Sequence, residues 1–222
     1  MTGSAIPTLA VRAGRTPRAW FVLIAVVVIG LAADLGSKWW AFEKIADQPV
    51  HVDRAQVLEY GPRRLGELLP AHRPVTVVPH VLDLSLVLNP GAVFGIGAGQ
   101  RWFFVVFTVA AMVAGVALFA VGTRARQTAA HVAIGLLISG GLGNLYDRLA
   151  YGCVRDFLHP LPGVKWPFGI TTPWSGEQIW PYVSNIADLW LIVGIGMLVV
   201  ILWRSDKAEQ KAARGQAAEG AA

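Results

Sequence analysis

Four long apolar runs, separated by polar stretches, set the pattern of the chain. They fall at 19–42, 102–122, 128–150 and 185–204, each close to the roughly 20 residues a helix needs to cross a bilayer core. The pattern predicts a four-transmembrane-helix bundle. Polar residues inside these runs are unevenly placed. Asp34 and Lys38 lie towards the end of the first, Asn144, Asp147 and Arg148 towards the end of the third, and Asn185 and Asp188 at the start of the fourth. In an up-and-down bundle those three places share one side of the membrane.

Residues 43–101, on that side, have two characters. The stretch 47–74 is polar and proline-bearing, without a period, and supports no assignment. From Val75 to Asn89 the sequence alternates, with Leu82, Leu84, Leu86 and Leu88 on one face and Val81, Asp83, Ser85, Val87 and Asn89 on the other. A period of two predicts a half-buried strand, its leucine face suiting a small sheet on the membrane surface. Asn89-Pro90-Gly91 is a turn signal. The G-x-G spacing at Gly95 and Gly97 lacks the flanking strand and soluble helix of a dinucleotide fingerprint. The second connection on this side, 151–184, is rich in Trp and Pro, as an interfacial belt would be. Residues 1–18 and 206–222 are small, polar and charged, and are expected to be flexible tails around a single membrane domain, 19–205.

Composition strengthens the membrane reading. Of 222 residues, 55% are hydrophobic and 15% charged, where a soluble domain carries roughly a quarter charged; the mean hydropathy is +0.51. Arg12, Arg15 and Arg18 precede the first span, Arg124 and Arg126 join the second to the third, and Arg204, Lys207, Lys211 and Arg214 follow the fourth. The positive-inside rule therefore expects both termini in the cytoplasm and the polar ends of the spans at the outer face. A pI of about 9.7 reads as contact with anionic membrane lipid rather than with nucleic acid. The lone cysteine, Cys153, rules out an internal disulfide. The first run is too long for the core of a cleaved signal peptide and is taken as a retained span.

The polar residues admit two readings. Asp34 and Lys38, four apart on one helix face, can simply neutralise each other. Arg148 can pair with Asp147, or with Asn144 offer donors to a peptide carbonyl. Asn185 can cap the fourth helix with Asp188 as its third-position acid, and Asp156 can pair with Arg155 or Lys165. Yet Asp156 and Asp188 are expected at the same depth on the same side, which suggests a catalytic dyad. Two carboxylates about 4 Å apart at an effective dielectric of 20 repel by roughly 4 kcal/mol, about three pKa units. Such a pair holds one proton near neutral pH, so one member can activate water while the other polarises a carbonyl. Scattered histidines (His51, His72, His80, His131, His159) do not suit a zinc site,. No cofactor or metal is expected. The alternative is a small polytopic binding or transport protein with an intramembrane polar pathway.

Five blocks in order, "DLGSKWW", "NPGAVFG", "GGLGNLYDRL", "GCVRDF" and "SNIADL", resemble those of signal peptidase II, the lipoprotein signal peptidase family. The resemblance implies a bacterial inner-membrane aspartyl endopeptidase, with four transmembrane helices and a small sheet cradling the substrate. Its partners would be diacylglyceryl-modified prolipoprotein signal peptides, cut before the lipidated cysteine. It further implies Asp156 and Asp188 as catalytic, Asn89, Asn144 and Arg148 as substrate-binding, and Asp34, Lys38, Asp147 and Asn185 as supporting. Two stretches, about 47–74 and 169–180, are expected to be insertions outside the bilayer.

Overall fold

The structure, a computed structural model, describes residues 11–91, 100–173 and 175–219. Its long helices are α1 (Pro17–Lys44), α3 (Arg101–Ala117, continued by a π turn, Leu118–Gly122), α4 (Thr128–Ala150) and α5 (Ile186–Glu219). All four are long and apolar enough to cross a membrane, as the sequence pattern predicts. Helix α4 is central, packing against α1, α3 and α5. It is the most buried of the four, while α3 and α5 leave most of their apolar length on the protein surface.

Small residues make this packing possible. A Cβ at Gly140 would stand 2.5 Å from the main-chain oxygen of Ala187, and one at Gly30 would stand 2.5 Å from Ser139 Oγ. Helix α4 ends where Gly152, at φ 84°, takes the left-handed conformation that stops the spiral,.

The alternating stretch becomes two strands rather than one. β1 (Val75–Val78) turns through His80, at φ 61°, into β2 (Leu82–Asn89). A third strand, β3 (Val154–Pro160), pairs antiparallel with β2 to give the order β1-β2-β3. Leu84, Leu86 and Leu88 bury the expected leucine face against Phe42, Ile45, Val57 and Phe157. In the unassigned stretch, Asp53 accepts hydrogen bonds from the backbone N–H groups of Ala55 and Gln56 and starts a short helix, α2 (Arg54–Tyr60).

Both expected tails differ in part. Residues 11–15 are docked: Ala13 N donates to Thr123 O at 3.0 Å and Ala125 N to Val11 O at 2.8 Å. At the other end α5 runs on to Glu219, because Ala, Lys, Gln, Glu and Arg are strong helix formers whatever their polarity. The Gly95–Gly97 spacing and most of the "NPGAVFG" block lie outside the described residues.

Candidate active site

Three elements converge where α4 ends, α5 begins and β3 crosses between them. Asp156 sits in β3 opposite Val87 of β2 and is 1% exposed. Asp188 occupies the first turn of α5 and is half-buried. A backbone clasp brings the two together. Ser184 N donates to Leu158 O at 2.7 Å, and the N–H groups of Phe157 and Leu158 donate to Ser184 O. The start of α5 is thereby stitched to β3, and Asn185 is set beside Asp156.

Asn185 is the hub. Its Nδ2 donates to Asp156 Oδ1 at 2.6 Å and to Asn144 Oδ1 at 3.0 Å. Its Oδ1 accepts from Asp188 N at 3.1 Å, while its own N donates to Asp188 Oδ2 at 3.2 Å. That reciprocal pair is a capping box with Asn at the cap and Asp at the third position. Asn144 Nδ2 donates to Asp188 Oδ1 at 2.9 Å, and Asn89 Nδ2 to Asp156 Oδ2 at 3.0 Å. Every carboxylate oxygen of the two aspartates thus accepts a hydrogen bond, and two asparagines link the pair.

A charged layer lies directly beneath. Lys38 Nζ bonds Asp34 Oδ2 at 2.8 Å and Asn144 Oδ1 at 3.1 Å, and lies 3.4 Å from Asp147 Oδ2. Asp34 Oδ1 in turn accepts from Ala187 N at 2.9 Å. Asp147 takes a fork from Arg155, Nη2 at 2.9 Å and Nε at 3.3 Å, plus the Arg155 backbone N–H at 3.0 Å. Asp34, Lys38 and Asp147 have no exposed side-chain surface. The neutralisation expected of Asp34 and Lys38 is therefore present, but as part of a network that ends on the Asn144 carbonyl and orients its amide.

Two local pairings turn out otherwise. Arg155 does not pair with Asp156, because neighbours on a strand point to opposite faces; it turns to Asp147 and stacks over Tyr151, 4.2 Å from the ring centre. Lys165 pairs with Glu177 at the surface, at 2.6 Å. With Asp147 occupied, Arg148 donates instead to the main-chain oxygens of Gly91 at 2.9 Å and Asn144 at 3.2 Å, and lies over Phe104. Among the described residues, these bonds engage two of its five N–H donors,. Ser184 is a supporting residue that the sequence reading does not single out, and Arg155, read there as a partner for Asp156, supports Asp147 instead. The strand alternation across Arg155-Asp156 is the signal that bears on the second.

Burial, and after it the nearby Asp188 carboxylate, push the Asp156 carboxyl up to about 8, against the opposing pull of Asn89, Asn185 and Lys38. Cys153, beside the site, is pushed up to about 12 by burial and by Asp147 and Asp156. It is a protonated packing residue rather than a nucleophile. The arrangement therefore offers a proton on Asp156 beside a second carboxylate, with further donors from Arg148 close by.

The family described as signal peptidase (SPase) II matches residues 24–204. The lipoprotein signal peptidase of Desulfitobacterium hafniense (strain DSM 10664 / DCB-2) is 34% identical over 161 residues, 72% of this chain and 91% of that protein. The lipoprotein signal peptidase of Streptococcus pyogenes serotype M5 (strain Manfredo) is 32% identical over 187 residues, 84% and 94% of the two chains. Two solved bacterial membrane enzymes share the fold. One has a TM-score of 0.58 at 22% identity, covering 89% of this chain and 94% of its own. The other has a TM-score of 0.54 at 23% identity, covering 85% and 94%.

Proposed function

The chain belongs to the signal peptidase II family, and from that premise we propose that it is a membrane aspartyl endopeptidase removing the signal peptide of diacylglyceryl-modified prolipoproteins. The observation that carries this reading is the pair Asp156 and Asp188, joined through Asn185 and Asn144. The scissile bond lies immediately before the lipidated cysteine.

Asp156, buried and protonated at neutral pH, donates to the oxygen of the scissile carbonyl. Asp188, half-buried and nearer to water, takes a proton from the attacking water molecule. The tetrahedral intermediate collapses as Asp188 returns that proton to the leaving nitrogen and Asp156 recovers its own from a hydroxyl of the former carbonyl carbon. Two protons are moved and none is consumed, with no covalent intermediate. Arg148 and Asn144 hold the substrate backbone, and Asn89 positions Asp156. Asp34, Lys38, Asp147 and Asn185 are positioning residues whose charges and dipoles keep the asparagine amides in one orientation.

The distribution of Arg and Lys supports an inner-membrane location with both termini cytoplasmic and the dyad at the outer face. Mass spectrometry of matched prolipoproteins, with and without the diacylglyceryl group, tests the substrate assignment. The lipidated form is expected to be cut before its modified cysteine at least about tenfold faster, a difference of about 1.4 kcal/mol. Equal rates on both forms would contradict it.

A further inference from the structure

At the opposite end of the bundle, the first turns of α1 and α4 lie side by side. The docked segment before α1 sets this arrangement, with Arg12 bridging Arg124 across an antiparallel contact. A Cβ at Gly14 would meet Ala120 at 2.9 Å, so that segment sits hard against the end of the π turn. Between the two helices is a cavity of about 260 Å³ lined by Arg18, Val22, Ala125, Arg126, Thr128 and His131.

Its chemistry is one-sided. Neither helix has an acidic residue in its first turn, and neither cap side chain bonds the free N–H groups there. Among the described residues, Arg18 and Arg126 take part in no ion pair. His131 is 1% exposed and edge-on to Phe119, and its Nε2 has no partner. Two arginines outside any described ion pair and two helix N-termini point to an oxyanion ligand, and the buried ring nitrogen without a partner calls for a hydroxyl donor on the same ligand. On either side of Val22, α1 exposes Phe21 and Ile24, so apolar chains leaving the cavity would run along the lipid-facing side of the helix.

We propose that this cavity binds the phosphate of an anionic phospholipid from the leaflet on that side. The guanidinium forks of Arg18 and Arg126 take the phosphate oxygens, and the Thr128 hydroxyl donates a further bond. His131, whose other ring nitrogen bonds the Arg124 main-chain oxygen, accepts at Nε2 from a headgroup hydroxyl. A zwitterionic choline headgroup would bring its own cation against the two arginines, so a net negative lipid is preferred. None of these residues belongs to the Asp156 site, and the inference does not depend on the peptidase reading.

Native mass spectrometry of the full chain, delipidated in detergent, tests this. Dioleoyl phosphatidylglycerol, dioleoyl phosphatidylcholine and inorganic phosphate are titrated separately. One phosphatidylglycerol is expected to stay bound, with affinity falling at least tenfold in Arg18→Gln/Arg126→Gln and unchanged in Arg12→Gln/Arg15→Gln, which removes the same charge outside the cavity. Equal losses in both double variants, equal retention of phosphatidylcholine, or displacement of the lipid by millimolar phosphate would each overturn the proposal. Should the first double variant fail to fold, a photoactivatable phosphatidylglycerol on the wild-type protein gives the same decision. Labelling within 18–22 or 125–131 supports the site, and labelling confined to other segments rejects it.

Discussion

Asp188 performs two jobs at once. Its backbone and carboxylate close a capping box with Asn185, which stabilises the start of α5 by about 1 kcal/mol, while its other oxygen faces the donor of Asn144. Asp156 is the opposite case, a carboxyl raised to about 8 chiefly by burial. Between the ordinary carboxylate value and about 8 the folded protein keeps a proton that the unfolded chain has released. Stability therefore falls as pH rises through that window and levels off above it. Activity should fall with the same ionisation, since the proton on Asp156 is the one given to the carbonyl. The expected result is an alkaline limb in kcat/KM near pH 8, with a thermal midpoint in detergent that declines from pH 5 to 8 in wild type and declines less in Asp156→Asn. A flat profile to pH 9.5 in both readouts would assign the proton elsewhere.

Elements meet through the small residues of α4. Gly140 abuts the Ala187 carbonyl, and a Cβ at Gly143 would run into the Asp34 carboxylate, whereas nothing lies within 4 Å of the Cβ position at Gly36. Gly140→Ala should therefore push α5 away and lower both thermal stability and turnover. Gly36→Ala should be neutral or stabilising by up to about 1 kcal/mol from helix propensity alone. Comparable thermal shifts in the two variants would contradict the close approach. The four spans and the leucine face of β2 were legible because membrane length and strand alternation are strong periodic signals. β3 was not, since "VRDFLHP" mixes charged and apolar residues on both faces, and its strand character comes from pairing with β2. The hairpin read as one strand because alternation continues up to the turn at Pro79-His80. α2 was missed although Asp53 is a good cap, seven residues being too short for a period to register. Of the site, the Asp34–Lys38 pair and the Asn185–Asp188 cap were legible from local spacing; the link from Asn185 to Asp156 was not, because it depends on the Ser184–Leu158 clasp joining segments 26 residues apart.

Over the whole molecule the buried polar groups divide unequally. Asp34, Lys38, Asn144, Asp147, Arg155, Asp156 and Asn185 form one cluster at one end, while the described residues add only Ser139 midway and Thr123 and His131 at the other end. A transport pathway would need polar lining through the whole depth, so the distribution favours chemistry at one surface. The proposed orientation is tested separately. In intact cells of a Cys153→Ala background, Phe168→Cys should react with a membrane-impermeant thiol reagent, and Ser205→Cys should react only after the membrane is opened. The reverse pattern would invert the proposed topology. The most direct measurement is cleavage of a diacylglyceryl prolipoprotein by wild type, Asp156→Asn and Asp188→Asn in detergent with EDTA, followed by mass spectrometry with folding verified for each. Wild type should cleave without metal, and each variant should lose roughly a thousandfold or more in rate. Near-full turnover by either folded variant would contradict the aspartate pair as the catalytic centre.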